Sequence, residues 1–147
     1  MAIITGEKDL LEDIRQGTDI HRKTAAVIFG KSEGDVAPTD RDYGKLANLS
    51  LQYGGGANML LSRSALNPNL RLTLEDLRVL VDRWRLSRPL MVKWQNQFRG
   101  VDQKNPVAMR TLLGRRRLDV TSYTEALNLP IQGSCADAMK LAMCGLS

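Results

Sequence analysis

Arg41-Asp42-Tyr43-Gly44-Lys45-Leu46-Ala47-Asn48-Leu49-Ser50-Leu51-Gln52-Tyr53 reads as one amphipathic helix. Thr39 opens it, with Asp42 three residues on as a short capping box. Gly54-Gly55-Gly56 ends or bends it, because three consecutive glycines disfavour helix interior. The helix is therefore expected over about 39–53. Arg41, Lys45, Leu49 and Tyr53 recur every four residues and wind gently along one face. Like charges at that spacing repel by roughly a few tenths of a kcal/mol. An exposed face tolerates this, and an anion lying between the two cations would use it. Both cations fall in the first two turns as read, where free amides and the helix dipole draw negative charge. From Arg41 to Leu49 is roughly 12 Å along a helix rising ~1.5 Å per residue. A nucleoside triphosphate laid with its phosphates toward the helix start has about that length. Leu49 would then bound the sugar, and Tyr53 would offer an aromatic face to a base. The same residues are also compatible with a Lys45–Asp42 ion pair and a half-buried Tyr53.

Outward from this helix the signals remain helical. Leu10, Leu11 and Ile14 form a short apolar stripe that Gly17 ends. Thr18-Asp19 can accept from the first free amides of a helix running through Ala25, Ala26, Ile28 and Phe29 to Gly30. Residues 31–38 and 62–72 read as loops. Thr73 with Asp76 forms a second capping pair. Leu77, Leu80, Val81, Trp84, Met91, Trp94 and Phe98 follow at helical spacing as a core stripe, which Pro89 kinks or splits. Residues 107–120 form the one plausible hairpin, around Gly114. Pro130 suits the first turn of a last helix, expected over about 130–146. The fold class is mainly α, with one short hairpin.

The chain has 147 residues, 43% of them hydrophobic, and a net charge of +5, which suits a single ordinary domain. No apolar run approaches the ~18 residues a membrane span needs, so a soluble protein is expected, with no membrane partner. Nothing at the start reads as a secretory leader. One histidine (His21) and two cysteines (Cys135, Cys144) make no four-ligand zinc set, and a reduced, cytoplasmic setting follows. The cysteines read as packing residues on the last helix. Residues 1–60 carry a net charge of −2 and residues 61–147 a net of +7, so the arginine-rich half favours a phosphate-rich partner. Phe29-Gly30-Lys31-Ser32 is no phosphate loop. Ala25 stands where the pattern needs glycine, and a helix is expected where it needs a strand.

Three segments together carry a family resemblance. Arg41-xxx-Lys45 followed by Tyr53-Gly54 resembles the fingers-helix motif of family A DNA polymerases, the DNA polymerase I type. Residues 19–26, Asp-Ile-His-Arg-Lys-Thr-Ala-Ala, resemble the family's segment just before the fingers. Residues 128–137, Asn-Leu-Pro-Ile-Gln-Gly-Ser-Cys-Ala-Asp, resemble its palm segment beside the primer–template. Order and approximate spacing agree from Met1 to Ser147. The resemblance implies a helical fingers subdomain with part of an α+β palm. It implies that Arg41, Lys45 and His21 hold the triphosphate of an incoming deoxynucleotide, with Lys45 as the general acid for the leaving pyrophosphate. Leu49 would lie along that nucleotide, Tyr53 by the templating base, and Gly54 where the chain turns. Asn128 and Gln132 would face the minor groove, whose acceptors are nearly the same for every base pair. The residues alone also allow Asn128 to be a local cap before Pro130, and His21 a first-turn surface residue. Arg115, Arg116 and Arg117 would suit a DNA strand backbone or a solvated turn.

The sequence departs from the family at several points. Leu49 stands where the family has Phe or Tyr, so sugar discrimination does not carry over. The stretch between Arg117 and Asn128 is short and resembles the compact version found in phage and plasmid polymerases, and Thr124 replaces a DNA-directed arginine. No carboxylate matches the two aspartates that hold Mg²⁺ in the family. Asp19 and Asp137 belong to the helical motifs and read as structural. The chain is expected to be part of a longer, monomeric polymerase chain of a bacterial cell or phage-infected host. It would contribute deoxynucleoside triphosphate and primer–template binding but no metal ligands. A non-catalytic helical nucleic-acid-binding module is the alternative, and a poorly folded truncation a third possibility.

Overall fold

The computed structural model describes residues 1–67 and 69–145. It is mainly helical, with one two-stranded antiparallel hairpin. Two compact units divide the chain: Ala2–Lys93, and Trp94–Ser147 together with Met1.

The first unit holds α1 (Ala2–Thr5), α2 (Lys8–Arg15), α3 (Ile20–Phe29), a 3-10 turn (Glu33–Asp35), α4 (Pro38–Leu51), α5 (Ala57–Ser64) and α6 (Leu74–Ser87). Asp19 caps α3 as its sequence suggests: Oδ1 accepts from the amides of His21 and Arg22 at 3.1 and 3.0 Å. Gly30, at φ 66°, closes that helix in the left-handed conformation. Thr73 and Asp76 form the expected box at the start of α6, where the Thr73 amide donates to Asp76 Oδ2 and the Asp76 amide to Thr73 Oγ1. Pro89 does split the apolar stripe, and it opens α7 (Pro89–Asn96).

Several local readings are corrected in this unit. Helix α4, expected from Thr39, begins at Pro38, because proline at the first position loses no needed hydrogen bond. Asp40, not Asp42, faces back to the start, accepting from the Ala37 amide at 3.1 Å. The helix ends at Leu51, so Tyr53 lies in the turn that follows, with Gly54 at φ 81°. In α2, Leu10 is buried but Ile14 is 53% exposed. Asp13 turns inward instead, pulled by an ion pair to Lys23 of α3 at 2.6 Å. Helix α5, with its fully buried Leu60, is not among the expected elements, and its last turn occupies the start of the loop expected over 62–72.

Ala25, Ile28, Tyr43, Ala47, Leu51, Leu77, Leu80, Val81, Trp84 and Met91 are all buried in this unit. Helices α3 and α4 approach each other at Gly44, where a Cβ would collide with the His21 carbonyl oxygen and stand 2.9 Å from the Ala25 nitrogen. Glu7 is buried and acts at a distance, its Oε1 accepting from the Met91 amide in the first turn of α7 at 2.9 Å.

The second unit holds β1 (Val107–Arg110), β2 (Arg116–Val120) and α8 (Tyr123–Cys144). The strands pair Val107 with Val120, Met109 with Arg117 and Arg110 with Arg116, with one irregularity after Val107. Gly114 sits at φ 95°, as the expected hairpin turn requires. Met109, Val120 and Ala126 form the core here, with Phe98, Val107 and Leu129 packed against it.

Helix α8 starts seven residues before the position read from sequence, so Pro130 lies in its interior. Proline there loses one backbone hydrogen bond, at a cost of ~3 kcal/mol or more. Burial of Ala126, Leu127 and Pro130 offsets that loss, and the Ser134 hydroxyl donates to the Pro130 carbonyl. Leu146, the expected last residue of the helix, lies outside the described residues. Cys135 and Cys144 are exposed and not packing residues.

Candidate nucleotide and nucleic-acid interface

The start of α3 and the first half of α4 place His21, Arg41 and Lys45 together. Arg41 Nε donates to Asp19 Oδ2 at 2.7 Å, so one carboxylate both caps α3 and holds the first cation of α4. The guanidinium and the backbone amides hold the Asp19 carboxyl below the usual carboxylate range. Burial, and then the nearby charges of Arg41 and Lys45, push the His21 imidazole below its ordinary value of 6.5, while Asp19 acts in the opposite direction. Lys45 is exposed, and among the described residues no carboxylate pairs with it. The Lys45–Asp42 ion pair that the sequence allowed is absent.

Because α4 begins at Pro38, Lys45 is its eighth residue and stands beyond the first two turns. Its field is therefore that of its own charge and its neighbours', with little help from the helix dipole. Asp40 occupies the first turn and pairs with Lys31 at 2.7 Å. Leu49 is 45% exposed on the same helix, one turn beyond Lys45. Tyr53 does not share that helical face, since it lies past the helix end.

Asn48 is the residue of this site that sequence reading passed over. Its Nδ2 donates to the Ile20 carbonyl at 3.3 Å and lies 3.3 Å from His21 Nδ1, while the Thr24 hydroxyl donates to its Oδ1 at 3.2 Å. Its Oδ1 accepts from Trp84 Nε1 at 3.1 Å. One signal was available: asparagine is a poor helix former, so its place in the middle of a helix calls for a partner.

In the second unit the hairpin turn and α8 form a separate cluster. Thr111 Oγ1 donates to Asp137 Oδ2 and Arg115 Nε to Asp137 Oδ1, both at 2.7 Å. Arg115 Nη2 reaches the Gly133 carbonyl at 3.3 Å. A Cβ on Gly133 would come within 2.8 Å of Thr111 Cγ2, so glycine lets the turn sit against the helix. Arg117 pairs with Glu125 at 2.7 Å. Arg116 is exposed, and no ion pair engages it among the described residues. Asn128 and Gln132 lie four apart on α8 and so share a face. Gln132 is exposed, while the buried Oδ1 of Asn128 has no hydrogen-bond partner among the described residues. Asn128 is not a helix cap, because it sits inside α8.

Thr111 first, and then Arg115, hold the Asp137 carboxyl below its ordinary value of 3.8. The folded form therefore gains from the ionised carboxylate above that value, and the gain disappears as pH falls through the lowered one. Hydrogen-exchange protection at Gly114 and Arg115, whose amides bond to Thr111 at 3.0 and 3.1 Å, is expected to hold at neutral pH and drop below about pH 4. Asp137→Asn should show the lower protection at neutral pH, and unchanged protection in that variant would show that the carboxylate does not hold the turn.

Among the described residues, no group of three or more His, Cys, Asp or Glu side chains could hold a metal ion. The two carboxylates of the helical motifs are committed elsewhere, Asp19 to the α3 amides and Arg41, Asp137 to Thr111 and Arg115. These donors do not fit a pair of Mg²⁺ ions. No helix among the described residues is long and apolar enough to cross a membrane.

The sequence model of DNA polymerase family A matches residues 1–147. DNA polymerase I of Geobacillus stearothermophilus is 36% identical over 159 residues, covering 100% of this chain and 17% of that protein. DNA polymerase I of Aquifex aeolicus (strain VF5) is 33% identical over 135 residues, covering 91% and 23%. The POL domain of Pol1 from M. smegmatis, solved in complex with DNA primer-template and dNTP, superposes with a TM-score of 0.69 at 27% identity. That match covers 91% of this chain and 24% of the M. smegmatis chain. The chain thus spans about a fifth of the length of these curated relatives. With the match running along all of its residues, the chain belongs to DNA polymerase family A.

Proposed function

We propose that this chain supplies the nucleotide-binding helices and a DNA-facing palm helix for template-directed DNA synthesis. His21, Arg41 and Lys45 hold the triphosphate of an incoming deoxynucleotide, Leu49 lies along its sugar, and Tyr53 and Gly54 stand beside the templating base. Asn128 and Gln132 meet the minor groove of the primer end. The observation that carries this reading is Lys45, an exposed cation with no carboxylate partner among the described residues, one turn from Arg41 on α4. Arg116 is the better candidate for a DNA backbone contact, and Arg115 reaches one only by releasing Asp137.

In this reading Lys45 donates the proton to the leaving pyrophosphate, and the Mg²⁺ of the reaction is held by carboxylates of a longer, monomeric and cytoplasmic polymerase chain. The short stretch between Arg117 and Asn128 is taken as the compact, phage- or plasmid-like form in the same reading.

Titration of the chain with dATP tests the proposal. Lys45→Ala removes a charge-assisted hydrogen bond worth ~1.5–3 kcal/mol. The dissociation constant is expected to rise by about one to two orders of magnitude. Unchanged dATP affinity in that variant, with DNA binding retained, would instead favour a non-catalytic helical nucleic-acid-binding module.

A further inference from the structure

Asn48 joins three helices, and the chemistry of its partners fixes which way its amide faces. Trp84 Nε1 on α6 can only donate, so the atom it meets at 3.1 Å must be the Asn48 oxygen. The Ile20 carbonyl can only accept, so the atom it meets at 3.3 Å must be the Asn48 nitrogen. The two constraints are independent and agree. The group facing His21 Nδ1 at 3.3 Å is therefore an NH₂, which has no lone pair to offer. Nδ1 must accept, and a neutral imidazole whose Nδ1 accepts carries its proton on Nε2. That Nε2–H has no hydrogen-bond partner among the described residues.

We propose that Asn48, held in orientation by Trp84, is a positioning residue that presents His21 as a neutral Nε2–H donor to the triphosphate. The donor role rests on the nucleotide-site reading above, whereas the tautomer rests on the hydrogen bonds alone. Protonating the ring would set an Nδ1–H against the Asn48 NH₂. The charges acting on the ring are Asp19 from the start of its own helix, and Arg41 and Lys45 from α4. Helix α6 reaches the ring through Trp84 and Asn48. Burial and the two cations oppose the charged form as well. His21 thus grips an anion as a directed neutral donor, while Arg41 and Lys45 bring the charge.

The chain has one histidine, so ¹⁵N–¹H correlation spectra of its imidazole report on His21 without overlap. The expected spectrum shows the proton on Nε2 at neutral pH, and a titration midpoint below the ordinary value of 6.5. Asn48→Asp keeps an oxygen for Trp84 but turns an acceptor toward Nδ1. The proton should move to Nδ1, and the midpoint should rise by more than one pH unit, a greater than tenfold change in proton affinity. Trp84→Phe removes the donor that holds the amide, and should bring a mixture of the two tautomers. It serves as the second reading where Asn48→Asp does not fold. An Nδ1–H in the unmodified chain overturns the proposal. So does an unchanged midpoint in folded Asn48→Asp, or an unchanged tautomer in Trp84→Phe. Addition of dATP should shift the Nε2 resonance. If the tautomer is as stated and dATP leaves Nε2 unmoved, the nucleotide reading fails and the Asn48–His21 relation stands.

Discussion

Gly44→Ala is expected to destabilise the first unit by about 3 kcal/mol or more, at the upper end of overpacking effects. Helix propensity alone favours the substitution by ~0.8–1 kcal/mol, so propensity and packing predict opposite signs. Packing should win, because the new Cβ would meet the His21 carbonyl oxygen and the Ala25 nitrogen, both backbone atoms that no rotamer change can move. The Ala25 Cβ lies only 3.0 Å away on the same side. Helix α3 would have to withdraw from α4, and His21 would withdraw with it. A urea denaturation series followed by far-ultraviolet circular dichroism measures the loss. A midpoint equal to or above that of the unmodified chain would show that the two helices do not approach closely at this residue.

Trp84→Ala should cost a similar amount, about 3–5 kcal/mol. Trp84 is 1% exposed and is the largest of the fully buried side chains. Its loss leaves a cavity on the face of α6 that also carries the buried Leu77, Leu80 and Val81, and leaves the Asn48 oxygen without its indole donor. Against a total stability typically of ~5–15 kcal/mol, such a loss is a large fraction of the whole. The unfolding midpoint in urea measures this too, and a loss below about 1 kcal/mol would contradict the burial described here.

Much of this architecture is legible in sequence because its signals are local. Thr73 and Asp76 lie three residues apart and satisfy each other's orphan groups whatever surrounds them. Asp19 and Gly30 bracket α3 by the same logic, as Gly114 marks the hairpin. Reading fails where a distant partner decides. Pro130 resembles a helix start until the burial of Ala126 and Leu127 carries α8 through it. Ile14 continues the apolar stripe of Leu10 and Leu11 by spacing, yet the ion pair of Asp13 with Lys23 turns Asp13 inward and leaves Ile14 exposed. Within the site, the stripe of Arg41, Lys45 and Leu49 is visible from spacing alone. That Arg115 is tied to Asp137, 22 residues away, is not. Nor is the bond from Trp84 to Asn48, which gives a core side chain a polar task.

The double engagement of Asp19 has a consequence for ionic strength. Its bond to Arg41 joins two side chains that are each about 40% exposed, so added salt loosens it. The same salt screens the attraction of either cation for an anion. At Arg41 the two effects oppose each other, since what weakens the anion's hold also frees the guanidinium to meet it. Lys45, with no carboxylate partner among the described residues, feels only the screening. Two cations one turn apart on one helix are thus expected to answer salt differently, Lys45 more steeply than Arg41.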